Sequence, residues 1–162
     1  MTMLRRVLLV GEMPHETSDP TLPLFPVPEH RTGGRLAKMM GLRRSEYLIR
    51  TRRINLINEP KWSTKTAREH AKLIKMIIPD YACAVFLGKR VINAFGCGDL
   101  EIAALLKARF ARGEPGVVLC LPHPSGKNLW YNDERNAEKA EAALHLALAM
   151  QEKGYVPSVI SG

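Results

Sequence analysis

The chain has 162 residues, 46% hydrophobic and 25% charged, which suits one domain with one adequate core. Its 24 Lys and Arg against 16 Asp and Glu leave a formal net charge of +8, which fits either a solvated basic surface or an electrostatic footprint for nucleic acid. No apolar run approaches the roughly 18 residues of a membrane span, and Val7–Val10 is too short for a signal peptide, so no membrane partner is expected and the default location is the cytoplasm.

In chain order, apolar runs alternate with helical patterns, which predicts an α/β fold with a mostly parallel sheet covered by helices. Arg6–Val10 reads as the first strand, ended by Gly11. Residues 11–31 form a long loop with five prolines, Pro14, Pro20, Pro23, Pro26 and Pro28, which bar a continuous helix. A loop of this length inside a domain is usually functional. Thr32 is a candidate N-cap for a helix through Met40, with Gly41 as its stop. Arg53–Ile57 reads as strand two. Ser63 or Thr64 caps a helix through about Ile77, with Ala67, Ala71, Ile74 and Ile78 on one face.

Cys83–Leu87 is strand three, followed by a turn at Gly88 and a helix through Phe95. A short helix is expected over Leu100–Arg109, strand four over Val117–Leu121, and a loop over Pro122–Asn132. Asp133 caps a last helix to about Lys153, with Ala137, Ala140, Ala143, Leu144 and Ala147 facing inward. The single domain spans 1–162, with a core of about 7–150 and a tail from about 154. The three cysteines, Cys83, Cys97 and Cys120, form no C-x-x-C pair and read as small buried hydrophobes, so neither a zinc site nor a disulfide framework is expected.

Parallel α/β sheets bind ligands beyond the carboxyl ends of their strands. That rule gathers Gly11–His30, Asn55–Trp62, Gly88–Arg90 and Pro122–Asn132 at one edge, and these are the most unusual segments of the sequence.

Strand one runs into Gly11-Glu-Met-Pro-His15, and strand four into His123-Pro-Ser-Gly126. Between them stand Thr32-Gly-Gly-Arg-Leu36 and Val85-Phe-Leu-Gly-Lys-Arg-Val91. In this order, over about residues 7–150, the chain resembles the uracil-DNA glycosylase superfamily, with Arg53-Ile-Asn-Leu56 and His123–Asn128 resembling a less studied branch of it. The resemblance implies a three-layer α/β/α fold around a central four-stranded, mostly parallel sheet. It also implies a monomeric DNA-binding enzyme that flips a pyrimidine out of the stack and cleaves its glycosidic bond. No cofactor or metal is implied; the iron–sulfur cluster of some branches needs four cysteines. No lysine is placed for a Schiff base, so base removal without strand scission is expected.

The chain departs from the best-known branch at Met13, where an aspartate helps to activate water, and at His15, where a tyrosine guards against thymine. Carboxylates close to Met13 are Glu12, Glu16 and Asp19.

Glycosidic cleavage needs a carboxylate near an oxocarbenium-like sugar and a hydrogen-bond donor for the departing anionic base. The resemblance implies His123 as that donor, with Glu12 and Asp19 as candidates for stabilising the sugar or positioning water. Met13, Pro14, His15 and Phe25 would form the base pocket, Phe25 by stacking. Asn55 would read the pyrimidine edge, because a side-chain amide offers donor and acceptor together; Asn58 is its competitor. Gly33, Gly34, Gly88, Ser125 and Gly126 would let backbone N–H groups approach phosphates, with Arg35, Lys89, Arg90 and Lys127 adding charge. Asn128 continues the last motif and is expected with it at the DNA-binding surface. Leu129 or Trp130 would wedge into the gap left by the flipped base, while Trp62 reads as structural. The two motif loops are expected to bring Glu12 and His123 to opposite sides of one extruded nucleotide.

Two other functions compete. A nucleic-acid-binding module on the same fold without catalysis is supported by Met13. An enzyme acting on free nucleosides, or a base exchanger, is disfavoured by the positive charge. Within the glycosylase reading, uracil and a modified pyrimidine, such as a hydroxymethylated or glucosylated phage base, are equal candidates.

Overall fold

The computed structural model describes residues 5–109, 115–151 and 160–161. Strands β1 (Val7–Gly11), β2 (Thr51–Asn55), β3 (Cys83–Leu87), β4 (Leu105–Ala108), β5 (Gly116–Leu121) and β6 (Ile160–Ser161) form one sheet in the order β2-β1-β3-β5-β4-β6. The first four strands in that order run parallel, β4 is antiparallel to β5, and the two-residue β6 pairs parallel with β4.

Side chains alternate across a strand, and here alternation builds two cores. Val7, Leu9, Cys83, Val85, Leu87, Leu119 and Leu121 face helices α1 (Thr32–Met39), α2 (Arg44–Arg50) and α5 (Glu134–Ala149). Leu8, Val10, Ala84, Phe86, Val118 and Cys120 face α3 (Thr64–Lys75) and α4 (Lys89–Ala94). The result is the expected three-layer α/β/α arrangement, with two more strands than the four expected.

Helix starts follow their caps. Ser63 Oγ accepts the Thr66 N–H at 3.2 Å, and Asp133 Oδ1 accepts the Arg135 N–H at 2.9 Å. Both expected faces are inward: Ala67, Ala71 and Ile78 are buried on one side, and Ala140, Ala143, Leu144 and Ala147 on the other. Helix α5 ends at Ala149, short of the expected Lys153, which lies outside the described residues. The expected tail lies outside them too, apart from the backbone of Ile160–Ser161.

Three segments differ from expectation. The short helix over Leu100–Arg109 is instead a turn, with Ala103 at φ +61°, followed by β4. Ile102–Leu106 is too short an apolar run to choose helix or strand by itself. The open edge of β5 decides, through pairing of Leu105 with Leu119 and Lys107 with Val117. Strand β2 begins two residues early, at Thr51, whose hydroxyl donates to Tyr47 O at 2.6 Å. Helix α2 was not expected; Glu46 reaches back to accept the Arg43 N–H at 3.2 Å and starts it.

The long loop is seated on the start of α1. A Cβ on Gly33 would lie 2.2 Å from both Leu24 O and Phe25 O, and one on Gly34 would lie 2.4 Å from Glu29 O. The close approach that requires these glycines is therefore to the loop's own backbone. The Tyr47 hydroxyl adds a 2.8 Å bond to Leu24 O. Gly33→Ala is expected to cost about 1–3 kcal/mol by overpacking and to expose residues 12–31 to protease, as read by denaturant melts and limited proteolysis.

Candidate functional site

Strands β1, β3 and β5 lie side by side and parallel, so their carboxyl ends open together. β1 ends in Gly11, whose carbonyl accepts the Leu56 N–H at 2.8 Å, and the next carbonyl, of Glu12, accepts the Ile57 N–H at 3.0 Å. β5 ends in Leu121-Pro122-His123. The Tyr131 hydroxyl donates to Pro122 O at 2.6 Å, and Asn128 Nδ2 to His123 O at 3.0 Å. Between them β3 ends at Gly88, whose N–H donates to Leu121 O at 2.9 Å.

Gly88 has φ +97°, which L side chains rarely adopt. A Cβ there would lie 2.9 Å from Glu12 Oε1, 3.4 Å from His123 Cβ and 3.6 Å from His123 Cδ2. Glu12 and His123 thus meet over one bare glycine. The reason is topological: only β3 separates the strands that carry them.

These two residues line a cleft of about 850 Å³ together with Met13, Phe25, Asn55 and Ser125. Pro14, His15, Asp19, Gly33, Arg35, Gly126 and Lys127 also border it. Asn55 Oδ1 lies 2.7 Å from where a Cβ on Gly11 would stand, so the amide crosses the end of β1. Its competitor Asn58 is exposed and does not border the cleft, nor does Glu16. Met13 packs against the core on the α3–α4 side while bordering the cleft.

Several expected residues are committed to local structure. Asp19 Oδ1 accepts the Thr21 N–H at 2.9 Å and its hydroxyl at 2.6 Å, bonds that hold this exposed carboxyl below its ordinary pKa. His15 Nδ1 accepts the Thr17 N–H at 3.2 Å. Arg35 Nε donates to His30 O at 2.9 Å, and its guanidinium lies over Gly126, 2.6 Å from where a Cβ would sit. Asn128 Oδ1 accepts the Trp130 N–H at 3.1 Å, so this side chain braces the His123 loop at two points. Leu129 is 77% exposed, whereas Trp130 packs on the core and meets Tyr131 edge-on at 4.8 Å. Lys89 is exposed; Arg90 faces Glu12 at 4.0 Å and lies over the Trp62 ring at 5.3 Å. Trp62 Nε1 in turn donates to Thr64 Oγ1 at 3.2 Å. Gly34 is buried beneath Glu29 and does not border the cleft.

Sequence reasoning missed Arg31, Tyr47 and Tyr131. Arg31 borders the cleft and donates to Ser18 Oγ at 2.7 Å and Thr17 Oγ1 at 3.2 Å, cross-bracing the loop. Its place just before the glycine pair was the available signal. The two tyrosines act through long-range bonds that leave no local pattern.

All three cysteines are buried and free. Among the described residues no cluster of three or more His, Cys, Asp or Glu is placed to hold a metal ion, and no helix is long and apolar enough to cross a membrane. No protein-family model matches the chain, and no curated protein matches it in sequence.

Burial pushes the His123 imidazole below its ordinary pKa of 6.5, and the adjacent Glu12 carboxylate opposes this only in part. The ring is therefore neutral at pH 7 and can donate one N–H without carrying charge. An imidazole NMR titration is expected to place His123 below 6.5, with Glu12→Gln moving it lower still. The unfolded chain binds a proton that the folded one resists. This residue's contribution therefore makes stability fall as pH drops from 6.5 toward the folded-state pKa, then level off.

Proposed function

We propose that this chain is a monofunctional DNA glycosylase of the uracil-DNA glycosylase type. It acts as a cytoplasmic monomer that excises a pyrimidine, either uracil or a modified base, and leaves an abasic site. The observation that carries the reading is the meeting of Glu12 and His123 over Gly88, in a cleft that also presents the Asn55 amide.

The chemistry follows from what each group offers. As the glycosidic bond breaks, its electron pair leaves with the base, and charge develops on the pyrimidine oxygens. The His123 N–H stabilises that charge by donating a hydrogen bond to it. The Glu12 carboxylate stabilises the sugar cation and directs the water that attacks its anomeric carbon, taking up the proton the water releases, which then neutralises the departed base anion. Phe25 and Met13 supply apolar walls, and Asn55 supplies a paired donor and acceptor for the base edge. Arg31, Arg35 and Lys127 add positive charge around the cleft for the phosphate backbone. The exposed Leu129 is the better candidate for a wedge, since Trp130 already packs in the core.

The test is base release from single- and double-stranded oligonucleotides carrying uracil, 5-hydroxymethylpyrimidines or glucosylated pyrimidines, read as alkali-labile sites. Release without strand scission is expected on at least one of them. His123→Ala and Glu12→Gln are each expected to lower the single-turnover rate by about 10²–10³-fold. A folded protein that releases no base from any of them overturns the proposal. The apolar side chain of Met13 favours one other reading, a DNA-binding module without catalysis, which predicts salt-sensitive binding that His123→Ala leaves unchanged. Leu129→Ala is expected to weaken DNA engagement without shifting the melting temperature, whereas Trp130→Ala lowers it.

A further inference from the structure

We propose that Arg90, backed by Trp62, is a positioning residue for the Glu12 carboxylate rather than a phosphate contact. This inference rests on the glycosylase reading and assigns a duty within the same site.

The two oxygens of Glu12 point to different neighbours. Oε1 lies over Gly88, beside His123, while Oε2 faces Arg90 Nη1 at 4.0 Å. Arg90 stands two residues after Gly88, in the first turn of α4, so its backbone is fixed by the turn that makes room for Glu12. Its guanidinium carbon lies 5.3 Å from the centre of the Trp62 ring, and the indole N–H is itself bonded to Thr64 at the start of α3. Trp62, Arg90, Glu12 and His123 thus form one series of neighbours, in which the cation is close to both the indole and the carboxylate.

A cation close to both an aromatic face and an anion is drawn toward each, even where, as here, its side chain is half exposed. Arg suits this place because its planar guanidinium can stack on a ring while its N–H groups point at a carboxylate. The arrangement aims Oε1 at the space beside His123, where the sugar would sit. It also opposes rotation of Glu12 away from that space. Half-buried His123 and Gly88 also stand beside this carboxylate, and among the described residues Arg90 is the cation paired with it.

Two measurements test this. The first needs no activity. The chain has two tryptophans, so the Trp62 indole N–H signal is readily assigned in a ¹⁵N spectrum. It is expected to shift in Arg90→Gln and also in Glu12→Gln; a signal that Glu12→Gln leaves unmoved overturns the linkage.

The second is single-turnover base release at saturating DNA. Arg90→Gln is expected to lower the maximal rate by about tenfold or more, since small misplacements of a reacting group carry penalties of that order. DNA affinity should hold, Trp62→Phe should retain the rate, and Arg90→Gln should add nothing in a Glu12→Gln background. A phosphate contact would instead weaken DNA binding and reduce its salt slope by about one, with the maximal rate unchanged. That pattern, or independent and multiplying effects of Arg90→Gln and Glu12→Gln, overturns the inference. Loss of base release in the wild-type chain itself overturns the glycosylase reading, and the indole signal still decides whether Arg90 links Trp62 to Glu12.

Discussion

The space above Gly88 is the constraint on which the site depends. β3 ends between the two strands that carry Glu12 and His123, and any side chain at its end would fill the volume where they meet. Four bonds that fix the surrounding loops end on backbone carbonyls: Glu12 O from Ile57, Pro122 O from Tyr131, His123 O from Asn128 and Leu24 O from Tyr47. The frame is thus held by its main chain, and the side chains of Glu12 and His123 are left for the cleft. This is the economy expected of a preorganised site, where orientation is fixed before a ligand arrives.

Charge is distributed in the same spirit. The sequence carries a net +8, but the number says nothing of where it lies. In the fold, Arg31, Arg35 and Lys127 border the same cleft as Glu12 and His123. Burial lowers the proton affinity of the His123 imidazole more than the neighbouring carboxylate raises it.

Much of the scaffold was legible because its signals are local. Alternating apolar strands, the Ser63 and Asp133 caps and the glycine ending β3 all act within a few residues. The rule that parallel strands gather their carboxyl ends was enough to bring Glu12, Asn55 and His123 to one edge. What escaped was decided by tertiary contact. The Ile102–Leu106 run became a strand because β5 had an open edge, and α2 depends on a single acidic residue reaching back. The glycine pair at 33 and 34 was read as space for phosphate, whereas the space is occupied by the long loop, whose path no sequence pattern specified. The pairing of Arg90 with Glu12 crosses from α4 to the end of β1, a distance in sequence that periodicity does not bridge.

The long loop has two unequal halves. Residues 24–29 are clamped by the glycine pair and Tyr47 and are part of the foundation. Residues 15–22 are largely exposed, held by short-range turns and by the Arg31 tether to Thr17 and Ser18, yet they still border the cleft. Selection can therefore rewrite one rim of the pocket at little cost to the core. In this architecture the shape of one cleft wall and the stability of the fold are encoded in adjoining but separable stretches of chain.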